Sequence, residues 1–327
     1  MADTSQIKEG SVDQGRHPNI LAFCYDFDKT LSPEDMQAQG YIQRLGEDVN
    51  AFWKKSNELA KKNGMDPNLA YMFMMLDGAR DKFYVNRNEL REFGSKVRLY
   101  KGVEEWFDKV NAEGARHGLQ VEHYIISSGI KDMIEGTSIG SRFKAIYANT
   151  FYYNKGGTAI WPAMVINFTN KTQFLFRIEK GALDVNDPNV NTYYKGSDMR
   201  IPFSNMIYIG DSATDIPCMK LVNSFGGHSI GVFDPERNDR TQVYRLIRDR
   251  RIRYFAPADY SEGSELFSIT RDIIAYIGAG TKLRRLTEKF AEESEAALAS
   301  DSDPVGEHAN YRDPDEKKAK APGKPQP

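Results

Sequence analysis

Ile20-Leu21-Ala22-Phe23-Cys24-Tyr25 is an unbroken apolar run that passes directly into Asp26-Phe27-Asp28-Lys29-Thr30. Six apolar residues are too few for an ordinary helix, and polar turn residues follow at once. The run therefore reads as a strand buried on both faces, as in the interior of a parallel sheet. Two further runs end in the same way. Residues 121–126 lead into Ser127-Ser128-Gly129, although Glu122 and His123 make this run less purely apolar, and Met206-Ile207-Tyr208-Ile209 leads into Gly210-Asp211. Helical patterns separate them: over residues 103–115, Trp106, Phe107 and Val110 recur at core spacing, with Gly114 near the end. Strands alternating with helices predict an α/β fold, a Rossmann-like parallel sheet with helices on both faces, in which ligands bind beyond the carboxyl ends of the strands.

Residues 33–96, between the first strand and the helix at 103, read as almost purely helical. Tyr41, Ile42, Leu45, Val49, Phe52, Trp53 and Leu59 recur at three- and four-residue intervals until Gly64 ends the pattern. Tyr71-Met72-Phe73-Met74-Met75-Leu76 continues it, its methionines reading as packing filler rather than as a substrate-facing surface. This segment is expected to form a small helical cap inserted in the core. Residues 147–168, aromatic-rich around Asn154-Lys155-Gly156-Gly157, read as a hairpin. The expected organisation is a disordered tail at 1–17, a core at 18–32 and 97–290, the cap at 33–96, and a second disordered tail at 291–327, whose Ala, Ser, Glu, Asp, Lys and Pro bury too little surface to fold.

The 327 residues carry 44 Lys plus Arg against 46 Asp plus Glu, a formal charge of -2. No global basic field is available to recruit nucleic acid or an anionic membrane, so neither is expected as a partner. The cluster Arg240, Arg245, Arg248, Arg250, Arg251 and Arg253 reads as a solvated helix face rather than a polyanion site. Cys24 and Cys218 are too few for a disulfide framework and form no Cys-x-x-Cys pair. With no apolar signal-peptide core in the first 17 residues and no membrane-spanning run, the expected location is the cytoplasm. Oligomeric state leaves no trace in the sequence.

Chemistry concentrates at the three strand ends. In an extended segment residues i and i+2 point to one side, so Asp26 and Asp28 face one place. Two close carboxylates push their pKa values apart, and a divalent cation on one keeps it ionised while its neighbour holds a proton, the division of labour of a nucleophile and a general acid. Gly210-Asp211-Ser212-Ala213-Thr214-Asp215 brings a second acidic pair. Hard oxygen ligands suit Mg2+, with Asp211 the natural ligand and Asp215 either supporting the site from behind or capping the helix that begins near Ile216. The Ser127 hydroxyl and nearby backbone N–H groups are placed to hold a phosphoryl oxygen where a strand passes into a helix. A cation has to complete that cradle. Lys171, at an apparent helix start, is favoured over Lys180, which precedes Gly181 at the same helix's end.

From residue 19 to about 280 the sequence resembles the haloacid dehalogenase superfamily, and within it the phosphoserine-phosphatase-like branch with a helical cap between the first two motifs. The resemblance matches Asp26-Phe27-Asp28-Lys29-Thr30 to the first motif, Ser127 to the second, Lys171 to the third, and Gly210-Asp211 with Asp215 to the fourth. It implies Asp26 as the nucleophile that becomes an aspartyl phosphate and Asp28 as acid and base. It also implies a metal site of Asp26, Asp211 and the backbone carbonyl of Asp28, and Asp at the second acidic position resembles the phosphatases. Two positions depart from the pattern. Ser212 stands where the fourth motif often has glycine, and Asp35, preceded by Glu34, stands where phosphoserine phosphatases usually place the glutamate that meets the substrate amine. Glu34 and Asp35 are thus candidate substrate-binding residues, with capping of the first cap helix as the competing reading. The resulting expectation is a Mg2+-dependent hydrolase acting on a small phosphorylated metabolite. The alternatives are a phosphotransferase using the same site and a non-catalytic binding protein on the same scaffold.

Overall fold

The computed structural model describes residues 19–194 and 199–300. Its first strand, β1 (Ile20–Tyr25), is buried at every position, as the apolar run requires. Four helices follow, α1 (Tyr41–Arg44), α2 (Val49–Asn63), α3 (Pro67–Ala79) and α4 (Arg87–Gly94). The apolar pattern from Tyr41 to Leu59 is thus split between α1 and α2, with the Asp48 carboxylate capping α2 at Ala51 N and left-handed Gly64 closing it. Then come α5 (Val103–Arg116), β2 (Gln120–Ile130), α6 (Lys131–Gly136), β3 (Ala145–Tyr153), β4 (Ala159–Met164) and α7 (Thr172–Lys180). The remaining elements are β5 (Met206–Gly210), α8 (Ile216–Ser224), β6 (His228–Phe233), α9 (Thr241–Arg248), β7 (Tyr254–Pro257) and α10 (Glu265–Ser300).

The seven strands form one sheet in the order β4-β3-β2-β1-β5-β6-β7. All neighbours are parallel except β3 and β4, the antiparallel hairpin expected around residues 154–157. β1 lies between β2 and β5, and the chain leaves it toward opposite edges of the sheet. That is the switch point at which α/β sheets open a crevice at their carboxyl ends. The strand period of two sends alternate side chains of β1 into two different cores. Ala22 and Cys24 pack with Phe174, Met219 and Val222 of α7 and α8, whereas Phe23 and Tyr25 pack with Trp106 and Phe107 of α5 and Ile273 and Ile274 of α10. Cys24 and Cys218 are free and buried. No described helix is long and apolar enough to cross a membrane.

The polar interruption in β2 follows from the same alternation. Glu122 turns to one face and pairs with Lys144 and Arg200 at 2.5 and 2.6 Å. Burial alone would raise its pKa, but the hydrogen bonds from Arg200 and Lys144 win and bring it down to about 2. His123 turns to the other face. Its Nε2 lies 2.9 Å from Asn111 Oδ1 and its Nδ1 3.0 Å from Tyr25 Oη, which in turn accepts from Trp106 Nε1. The imidazole is neutral there, its pKa pushed down to about 3 chiefly by burial.

The helical insertion shares the core on the Phe23 face, to which Tyr41, Ile42, Phe52, Tyr71, Met72 and Met75 contribute. The methionines Met72 and Met75 are fully buried, so they do pack. Gly94 and Gly136 let α4 and α6 touch backbone to backbone, since a Cβ on Gly94 would sit 1.9 Å from Met133 O and one on Gly136 2.1 Å from Arg91 O.

Described residues up to Gly280 form one compact unit and those from Thr281 onward a second. Here the expected boundary moves. Residues 291–300, assigned to the C-terminal tail, are helical, because the alanine and glutamate that deny them a core are strong helix formers. The expected tails at 1–17 and 301–327 lie outside the described residues.

His228 supplies a test of the packing. Both ring nitrogens are buried without partners between Tyr254 and Tyr276, and burial pushes the pKa down to about 4. The unfolded chain binds the proton first as pH falls from about 6.5, so stability is lost through that window down to about pH 4. His228→Phe should flatten the pH dependence of the urea midpoint between pH 4 and 6.5 by up to one proton's worth; an unaltered slope refutes the assignment.

Candidate active site

The carboxyl ends of β1, β2 and β5 meet at the switch point. Asp26 N donates to Ile209 O at 3.0 Å, which sets Asp26 beside the Gly210-Asp211 step. The chain then turns tightly, with Leu31 N and Ser32 N on Phe27 O, and Lys29 takes a left-handed φ of 59°, a strained conformation for a side-chain-bearing residue. Tyr260 Oη donates to Thr30 O and Tyr100 N to Leu31 O, so neighbouring segments hold this turn.

Asp26, Asp211 and Asp215 bring one carboxylate oxygen each within 4.8 Å of one another. Lys171 is fully buried among them, its Nζ 2.8 Å from Asp215 Oδ1 and 3.2 Å from Asp26 Oδ1. Tyr208 Oη donates to the same Asp215 oxygen at 2.9 Å, and Ser212 N lies 3.3 Å from the other. Gly210 leaves the space for this arrangement, because a Cβ there would stand 2.7 Å from Asp215 Cγ.

Charge balance sets the titration of the cluster. Burial, and then the Asp215 charge, push the Asp26 carboxyl up to about 6 against the pull of Lys171. Burial followed by Asp35 and Asp26 holds Asp28 well above the carboxylate range, and burial followed by Asp215 and Asp26 does the same to Asp211. Lys171 moves the other way. Burial would lower its pKa, but the charges of Asp215 and Asp26 outweigh that and raise it. An all-oxygen donor set that repels itself, with Asp26 Oδ1 buried and met only by the Lys171 ammonium at 3.2 Å, fits a small hard divalent cation such as Mg2+. Asp215 lies in the same cluster, but its oxygens are already engaged by Lys171, Tyr208 and Ser212, which suits it to orienting the site from behind. It occupies the N-cap position of α8 yet makes no side-chain cap bond.

Of the two lysines left open, Lys171 reaches the acids, while Lys180 Nζ donates to the carbonyls of Val190 and Thr192. Asp28 does not join the carboxylate trio; its Oδ1 accepts from Met36 N at 2.8 Å, and the bare Cα of Gly129 faces its other oxygen. Ser127 is buried at the same end of the sheet, but not where a strand passes straight into a helix. β2 continues to Ile130 through an irregularity after Ile126, and Ser127 Oγ accepts from Gly129 N. The register between β2 and β3 shifts across this segment, and such an irregularity has no reliable sequence signature. Glu34 and Asp35 do reach the site's mouth, where each faces a cation: Lys29 Nζ is 3.0 Å from Asp35 and Arg98 3.3 Å from Glu34. Asp35 makes no side-chain cap bond.

Three partners escaped the sequence reading: Tyr208, Tyr71 and Asn149. Tyr71 Oη donates to Ser128 O at 2.7 Å, and Asn149 Nδ2 lies 2.6 Å from Tyr71 Oη and 2.7 Å from Ser128 O, while its Oδ1 accepts from Ile166 N. Asn68 Nδ2 donates to Ile166 O, and Asn167 Nδ2 to Asp66. These bonds tie α3 to both the Ser127 and the Lys171 segments. Only the alternation that turns Tyr208 to the same side as Ala22 and Cys24 carried a usable hint.

The fold is similar to that of a solved probable phosphoserine phosphatase. A probable phosphoserine phosphatase from Vibrio cholerae superposes with a TM-score of 0.50 at 12% identity, over 80% of this chain and 66% of that one. A HAD family hydrolase from Salmonella enterica serovar Typhi gives 0.46 at 17% identity, over 66% and 63%. The chain thus spans about two thirds of the length of each. No family model matches the sequence. A Borreliella burgdorferi protein described only as uncharacterized is 26% identical over 275 residues, 76% of this chain and 95% of its own length.

Lys171→Met leaves Asp26 and Asp215 facing each other without their cation. In metal-free buffer at pH 7.5 it should cost about 3–5 kcal/mol in urea unfolding, the usual penalty for breaking a buried ion pair. The deficit should shrink toward pH 5 as the carboxylates take up protons. A loss under about 1 kcal/mol, the size of a surface pair, would show that the cation does not hold this cluster.

Proposed function

We propose that the chain is a Mg2+-dependent phosphomonoester hydrolase. The observation that carries this reading is the convergence of Asp26, Asp211 and Asp215 around the buried ammonium of Lys171 at the switch point of the sheet. In this reading Asp26, Asp211 and the backbone carbonyl of Asp28 hold the metal, which supplies positive charge against the phosphate dianion and its transition state. Residues 33–96 serve as the cap over this site.

Asp26 attacks phosphorus in line and forms an aspartyl phosphate. Asp28, whose protonated form is favoured by burial and then by the Asp35 and Asp26 charges, passes its proton to the departing alkoxide. It then takes a proton from the water that attacks the aspartyl phosphate, which releases inorganic phosphate and regenerates Asp26. Lys171 and the Ser127 hydroxyl attend the phosphoryl oxygens, where charge gathers in the transition state. Asp215 keeps Lys171 charged and aimed. A bound metal would place positive charge beside Asp26 and so lower a pKa that burial has raised.

The test is turnover of an aryl phosphate. Activity should require Mg2+ and vanish in EDTA, and Ca2+ should substitute poorly because its longer bonds misplace the attacking carboxylate. Asp26→Asn should lose at least about a thousandfold in kcat with its circular dichroism intact, since an amide is a far weaker nucleophile. A folded Asp26→Asn protein turning over near the wild-type rate, or equal turnover in EDTA after removal of bound metal, would overturn the reading.

A further inference from the structure

A cleft of about 660 Å³ opens from Asp211 and Lys29 outward, between α2 on one side and the segment from Phe233 to Val243 on the other. Three of its carboxylates are paired with cations, while Asp211 belongs to the acid cluster and the exposed Asp239 accepts from Thr241 N. Lys29 faces Asp35, Arg98 faces Glu34, and Arg237 lies 3.5 Å from Asp234. An ammonium group entering beside Glu34, Asp35 or Asp234 meets a carboxylate whose counter-charge is tethered next to it, so it has to displace a cation that stays in the neighbourhood.

What the cleft leaves unengaged is neutral. Asn50 and Trp53 stand three residues apart on α2 and so share one face of that helix, and Gln242 of α9 stands on the facing wall. Among the described residues the side-chain amides of Asn50, which is exposed, and of half-buried Gln242 make no protein hydrogen bond, and the Trp53 ring lines the same wall, its own Nε1 shielded and without an acceptor. Val49, Phe233 and Val243 supply apolar surface beside them. The volume falls in the range that holds drug-sized ligands, far more than a serine or ethanolamine fills.

Resting on the hydrolase reading above, we infer that the leaving group is a neutral, ring-bearing alcohol with hydrogen-bonding edges, held between Trp53 and Gln242, and not an amino alcohol. The ring's flat faces meet the apolar walls and the Trp53 ring, and Asn50 and Gln242 bind its polar atoms. A site with unmatched polar groups discriminates strongly against ligands that leave them unmatched.

Two measurements decide it. Calorimetric binding to Asp26→Asn, or to EDTA-treated wild type should that variant misfold, compares uridine 5′-monophosphate and glucose 6-phosphate with phosphoserine and phosphoethanolamine. The two ring-bearing esters should bind roughly tenfold or more tightly. In wild type, kcat/KM should follow the same order. Trp53→Ala, or Asn50→Ala if the first does not fold, should lower kcat/KM for the ring-bearing esters roughly tenfold more than for phosphoethanolamine. Equal binding of the two classes, including undetectable binding of both, or preference for an amine-bearing ester, overturns the inference. If no ester is hydrolysed with Mg2+ present, the hydrolase reading fails instead, and the binding order still decides what the cleft accepts.

Discussion

A single buried ammonium group governs the architecture of the candidate site. Carboxylates at the ends of adjacent parallel strands cannot approach within 4.8 Å in a desolvated place unless something offsets their repulsion, and Lys171 is the permanent part of that offset. Its own burial is tolerable only because Asp215 and Asp26 surround it. The dependence is mutual, and it reaches outward: Asp215 needs Tyr208 and Ser212 to occupy its other lone pairs, and it needs a glycine at 210 to have room. The cluster resembles a keystone arrangement in which each charge is acceptable because the others are present.

The sheet itself was readable because a doubly buried strand has a strong signature. β1, the Trp106 helix, the hairpin and the helical insertion all follow from apolar period and glycine punctuation. Asp26 follows from the end of the extended run, whereas Asp28, expected to face the same place, stays outside the carboxylate trio and accepts from Met36 N. Lys171 was favoured over Lys180 from helix-end chemistry alone, and the two lysines do take those different places.

What escaped the sequence is the set of contacts made across large separations. Asn149 binds Tyr71 and Ser128, 78 and 21 residues away, and nothing local in Thr150-Phe151-Tyr152 announces it. The register shift across the Ser127 segment is equally silent, because such an irregularity is a property of two paired strands and not of one. The C-terminal boundary failed for a different reason. Alanine and glutamate argue against a core and for a helix at once, and the reading weighed only the first.

The insertion is fastened on one side only. Tyr71 and Asn68 bind the Ser128 and Ile166 carbonyls, and α4 lies backbone to backbone against α6, whereas α2 faces the open cleft. A layer clamped along one border behaves as a flap and not as a piston. Its free border, α2 with the turn before it, is where amide protons should exchange first, while α3 and α4 share the slow exchange of the sheet. An opening of this layer would therefore widen the Trp53 side of the cleft and leave the Ser127 and Lys171 segments, with the charges of the acid cluster, at rest.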